Sequence, residues 1–407
     1  MKNTIIFITF WICFINSLNA QWQYVNNIPT TNNLYSVYFP TPDTGYAVGA
    51  FGTIIMTSDS GNTWISQISN TTKLLHSVTF VDANTGWAVG DSGTILKTSN
   101  GGTLWTSQSQ YSYNYRSVYF VNTDTGYVTG HDGVIIKTTD GGNNWSIKAI
   151  NPNHYLSLIY FKSLDTGFVG GMVDTLLCTI DGGNTWTPKT FGALIGIYTM
   201  TFLNANIGFG TGSNYIVKTI DGGNTWYSIP NYLADYMPSL FFTNVNYGYI
   251  VGGNWSGDAM PHFLGSVILK TDDGGITWDS LINIASSKIL NSIFFTNANT
   301  GIIVGEYGTV LKTTNGGNTW IENNENFQNE NINIYPNPVN DFFNIKINEK
   351  NVLTETILIE DIQGSVIKNF KSININTPLN ISFLLNGIYI IRVITKDNVY
   401  TQKLVKQ

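Results

Sequence analysis

One eight-residue pattern recurs seven times in this chain. Its copies end at Trp64, Trp105, Trp145, Trp186, Trp226, Trp278 and Trp320, at spacings of 41, 40, 41, 40, 52 and 42 residues. A fixed period of this length constrains architecture strongly, because each unit buries its apolar face only against its neighbours. Two further markers keep the same register. A glycine recurs at Gly45, Gly86, Gly126, Gly167, Gly208, Gly248 and Gly301, and a phenylalanine stands six residues before each: Phe39, Phe80, Phe120, Phe161, Phe202, Phe242 and Phe295.

Within a unit such as LHSVTFVDANTGWAVGDSGTILKTSNGGTLWTSQ, β-branched and aromatic runs alternate with Gly, Asn, Asp and Ser clusters. This predicts four strands, HSVTF, GWAVG, TILKT and LWTSQ. Four short strands per 40 residues describe a propeller blade, and seven blades close a ring without long free edges. The segment QWQYV near residue 22 reads as an outermost strand able to pair with the last blade and latch the circle.

The recurring turn lies between the third and fourth strands. It resembles the Asp-box, Ser/Thr-x-Asp-x-Gly-x-Thr-Trp, of sialidases, sortilin-type receptors and several bacterial glycanases; TSDSGNTW at 57–64 fits at every defined position. Its acidic position is Asp59, Asp140, Asp181, Asp221 and Asp273, but Asn100 and Asn315 in two copies. Asparagine keeps an acceptor oxygen and loses the charge that a hard cation or acid catalyst needs. The boxes are therefore expected to be scaffold, with no metal, cofactor or catalytic role.

The opposite face carries the turns between second and third strands, which vary where the scaffold agrees. They offer Asp91, His131, Asp132, Asp174 and Glu306. Four residues before each marker phenylalanine, the expected rim of the central channel holds Tyr35, His76, Arg116, Ser157, Tyr198, Pro238 and Asn291. Blade connections add Tyr155 and Tyr236, and an insertion in the sixth unit adds Trp255, His262 and Phe263. An aromatic surface with few charges suits sugar stacking or a protein interface.

Only 11% of residues are charged and the net charge is -6, with no basic run to neutralise successive phosphates. Nucleic acid is not an expected partner. Recognition of a sialic carboxylate uses three arginines for bidentate geometry, and this chain has two, Arg116 and Arg392. A sialidase mechanism is excluded on that ground. A glycanase needs two facing carboxylates; Asp91, Asp132, Asp174 and Glu306 keep that alternative to a non-catalytic binder open. His76, His131, His154 and His262 show no metal-ligand spacing, and Cys178 stands where five other blades place a lysine.

The ring as a whole, from about residue 22 to 324, resembles propellers of the photosystem II assembly and stability factor type, whose blades read much like TGYVTGHDGVIIKTTDGGNNW. Those relatives are non-enzymatic binders that use an arginine patch; this ring offers only Arg116.

The two ends concern export. Residues 1–20 combine Lys2, an apolar run and Ala20, the pattern of a cleavable signal peptide. Its removal leaves a charge of 19 - 26 = -7 and Cys178 alone. No membrane span is expected in the mature protein. After the propeller (21–324) and an Asn- and Glu-rich linker (325–331), residues 332–407 alternate apolar and polar positions, the pattern of a small Ig-like antiparallel β-sandwich. YPNP at 335–338, the I-x-D-x-x-G at 359–364, LNGIYIIRV and the final KLVKQ resemble the type A sorting domain of type IX secretion. That resemblance implies the secretion machinery as a partner, and a secreted or surface-bound product. The propeller's own ligand is expected to be a protein or a polysaccharide.

Overall fold

Seven repeats become seven four-stranded antiparallel sheets. The structure, a computed structural model, describes residues 22–151, 154–172, 175–189, 196–230, 234–253, 265–281, 288–317, 332–347, 354–360, 366–371, 377–385, 387–395 and 399–406. The chain divides into two units, 1–319 and 320–407.

In the first unit the first blade runs Leu34–Tyr38, Gly45–Gly49, Ile54–Thr57 and Ile65–Gln67, from channel to rim. The second strand is buried at every position, as Gly86–Gly90 is again in the next blade. A strand covered on both faces gains from a continuous apolar run, so alternation is absent there. Seven apolar clusters lie between neighbouring blades, one for each interface. One of them joins Ile302, Val304 and Val310 of the seventh blade to Leu34, Val37 and Trp64 of the first, so the ring closes.

A three-ring unit explains the sequence markers. Tyr46, just after the marker glycine of blade one, stacks on Phe80 of blade two at 4.3 Å, and Phe80 receives the edge of Trp105 at 6.0 Å. Tyr46 also donates its hydroxyl to the carbonyl of Gly101 in the second box, at 2.8 Å. Trp87, Phe120 and Trp145 repeat the arrangement, as do Tyr127, Phe161 and Trp186. A Trp of this kind takes ~150–250 Å² from water, a gross gain of roughly 4–6 kcal/mol. The marker glycine is required because the phenylalanine ring lies on it: a Cβ on Gly45 would meet Phe39 at 2.4 Å.

Closure adds one residue that the periodicity did not mark. The strand Gln23–Tyr24 pairs with Val310–Thr313, completing the seventh blade as QWQYV suggested. Trp22 beside it is buried and meets Phe295 edge-on at 5.7 Å, in the role that Trp105 plays against Phe80. Trp320, the seventh tryptophan of the period, lies outside the described residues, as do the signal segment and the linker.

The second unit is a sandwich of two antiparallel sheets. One holds Ile332–Tyr335, Phe342–Ile347 and Leu379–Asn380; the other holds Val366–Lys371, Thr354–Glu360, Gly387–Thr395 and Val399–Lys406. Ile334, Phe343, Ile357, Ile391 and Leu404 are among the residues filling its core. Asn337 of the YPNP segment accepts the Val405 amide at 2.9 Å, which ties that motif to the final strand.

Candidate functional site at the channel mouth

Each inner strand carries a β-bulge at the same place. Register shifts fall between Leu34 and Ser36, Leu75 and Ser77, Tyr115 and Ser117, Leu156 and Leu158, Ile197 and Thr199, Tyr236 and Ser239, and Leu290 and Ser292. A bulge leaves one residue unpaired and re-aims its side chain. The bulged positions hold Tyr35, His76, Arg116, Ser157, Tyr198, Pro238 and Asn291, and all seven line one cavity of about 720 Å³. Proline is tolerated there because a bulge asks for no ladder donor.

Behind the lining, three blades lock together. Asp91, from the second blade's turn, accepts from His76 Nε2 at 3.1 Å and lies 3.3 Å from Arg116 Nη1. Arg116 Nε donates to His131 Nε2 at 2.9 Å, and its guanidinium lies 5.6 Å from the centre of the Tyr155 ring. Burial, with Arg116 and His131 beside it, pushes His76 down to about 3. Burial and Arg116 likewise hold His131 below its ordinary value, against the opposing pull of Asp91 and Asp132. Both imidazoles are thus neutral at pH 7. His76 donates through Nε2, while His131 carries its proton on Nδ1 and accepts.

Across the cavity, Tyr198 shares a hydrogen bond with Ser213 Oγ at 2.7 Å and meets Tyr236 at 5.2 Å. Burial and then the neighbouring tyrosines push Tyr236 up to about 12. Leu74, Tyr155 and Tyr236 each stand two residues before a bulged position and join the lining, as do Met172, Ser213, Asn214 and Asp235. Tyr155 and Tyr236 were already candidates from the blade connections, and Leu74 could have been found from the two-residue period of a strand. The others come from turns and connections with no common offset.

The remaining sequence candidates are placed differently. Asp91 and His131 sit behind the lining. Asp132 is exposed at φ 59° and does not line the cavity. Glu306 does not line it either; its Oε2 accepts the Ile289 amide at 3.1 Å, holding a blade connection. Asp174, Trp255, His262 and Phe263 lie outside the described residues.

The boxes form closed hydrogen-bond turns. Asp59 accepts from Thr57 Oγ1 at 2.8 Å, the Thr63 amide at 2.8 Å and Thr63 Oγ1 at 2.6 Å. Asp140, Asp181, Asp221 and Asp273 repeat the bond from the box threonine. Asn100 accepts from Thr98 Oγ1 at 3.0 Å and the Leu104 amide at 2.9 Å, and Asn315 accepts from Thr313 Oγ1 at 2.8 Å. Among the described residues, no group of three or more His, Cys, Asp or Glu is placed to hold a metal ion, and no helix is long and apolar enough to cross a membrane. Cys178 is buried, and burial pushes its thiol up, away from the reactive thiolate.

Comparison with known proteins addresses the two units separately. Residues 333–407 match the family described as "Secretion system C-terminal sorting domain", and residues 66–154 match "Photosynthesis system II assembly factor YCF48". A sequence search of curated proteins returns no match. Among solved structures, "YCF48 bound to D1 peptide" is similar at 20% identity and a TM-score of 0.61, over 72% of this chain and 97% of that one. A GH74 xyloglucanase from Xanthomonas campestris matches at 12% identity and 0.60, over 84% of this chain and 57% of that one. PorZ, a surface component of the type-IX secretion system of Porphyromonas gingivalis, matches at 12% and 0.51, over 92% and 59%. At these identities the likeness shows the fold. The chain joins a seven-bladed propeller, residues 66–154 of which match the YCF48 family, to a C-terminal secretion system sorting domain at residues 333–407.

Proposed function

We propose that the protein is a non-catalytic binding module, exported through a signal peptide and the type IX route to the cell surface or medium, that grips its ligand at the channel mouth. The observation that carries this reading is the convergence of seven bulged side chains on one cavity. A scaffold alone gains nothing from six residue types at seven equivalent positions, whereas a concave site with a few placed polar groups suits a ligand. Glycoside hydrolysis needs two facing carboxylates. Among the described lining residues Asp235 is the single carboxylate, and Asp91 behind it is committed to Arg116 and His76.

The test uses the full-chain mature protein with a panel of soluble polysaccharides and peptides, scoring retention and reducing ends together. Retention that Tyr35→Ala or Tyr198→Ala weakens, with no new reducing ends, is the expected result. Release of reducing ends that Asp235→Asn abolishes would establish a glycanase instead.

A further inference from the structure

Resting on that reading of the cavity, we propose that its ligand is a segment of an uncharged glycan, held by tyrosine rings and neutral hydrogen-bonding groups. The ionic groups at the site are already engaged. Arg116 is bound to Asp91 and His131 and sits over Tyr155, and Asp235 lies against the carboxamide of Asn214. Asp91, 3.3 Å from Arg116 Nη1, already offsets that cation, so an acidic ligand would meet a neutralised guanidinium with a second carboxylate beside it, which is unfavourable in a partly buried site. The rest of the lining is neutral: the rings of Tyr35, Tyr198 and Tyr236, the Ser157 hydroxyl, which donates to the Ile197 carbonyl, the Asn291 carboxamide, whose nitrogen donates to the Leu34 carbonyl, and His76, uncharged above pH about 3. Rings beside hydroxyl and amide groups match the apolar faces and hydroxyl edges of sugars.

Two protein-like ligands fit less well. A folded partner needs a contact of about 800 Å² per side, whereas the site is a concavity of about 720 Å³, in the range of small-ligand pockets. An extended peptide gains affinity by adding to a free strand edge. Here five of the seven inner-strand edges already carry a hydrogen bond: the amides of Val37, Val78, Val118, Ile159 and Ile293 each donate to a serine Oγ of the neighbouring blade.

Titration calorimetry of the full chain with neutral cello-, manno- and laminari-oligosaccharides, against oligogalacturonate and a mixed peptide pool, decides the matter. At least one neutral series should bind, with affinity changing less than about twofold between low and high salt. Tyr198→Ala should weaken it about tenfold and Tyr198→Phe about threefold, each variant keeping the parent melting temperature. Stronger, salt-sensitive binding of oligogalacturonate or peptide at the same rim residues overturns the glycan assignment and keeps the binding site. Failure of every neutral series to bind overturns the glycan assignment. Binding untouched by the rim variants overturns the site itself.

Discussion

Each box carboxylate acts through geometry, gathering the bonds of a tight turn onto two oxygens. Asparagine keeps part of that set: Asn100 accepts from the box threonine and the Leu104 amide, and Asn315 accepts from its box threonine. Asp59→Asn, which keeps one acceptor oxygen, should therefore cost less in denaturant unfolding than Asp59→Ala, which strands every donor and should cost about 1 kcal/mol. The charge itself adds stability near neutral pH, and acid removes it. The side-chain bond from Asn144, Thr185 or Thr225, followed by the backbone bond from the same residue, holds Asp140, Asp181 and Asp221 down to about 2. An unfolded aspartate titrates near 3.9. A depressed folded value stabilises above the unfolded one and loses that contribution as pH falls. Thermal stability should thus decline between about pH 4 and pH 2, and a triple Asn variant should decline less; equal slopes would refute the assignment. The acceptor role was legible in the sequence because two copies substitute the charge away. The Arg116, Asp91, His131 cluster was not, since it unites separate turns of adjacent blades.

At the scale of the blade, aromatic packing across the interfaces ties each repeat to the next. Tyr46, Phe80 and Trp105 span two blades, and Trp22 supplies the same edge contact to Phe295 at the closure. Trp22→Ala should cost about 3–5 kcal/mol, like other large-to-small changes of buried aromatics, and fray the seventh blade first in hydrogen exchange. An unchanged seventh blade would contradict its role as latch. The periodic tryptophans could be read from spacing, and so could the rim, because a bulge recurs at one offset from the marker phenylalanine. Trp22 stands outside the period, and only the meeting of the two ends of the ring gives it a partner.

The whole molecule joins a propeller whose channel mouth varies from blade to blade to a C-terminal sorting domain. The ring repeats one scaffold and differs at the channel mouth, while the sandwich ends in a strand tied to Asn337. Deleting residues 332–407 should leave the protein inside a type IX-competent cell, with the remainder absent from medium and surface; export of the truncated chain would remove the tail's sorting role. The central claim is that the boxes hold the ring and the bulged rim meets the ligand. Hydrogen exchange of the full chain, with and without a neutral oligosaccharide that binds, tests it most directly. Protection should rise around Tyr35, His76, Arg116 and Tyr198, with the turns ending at Trp64, Trp105 and Trp145 unchanged. New protection confined to those box turns would contradict the account.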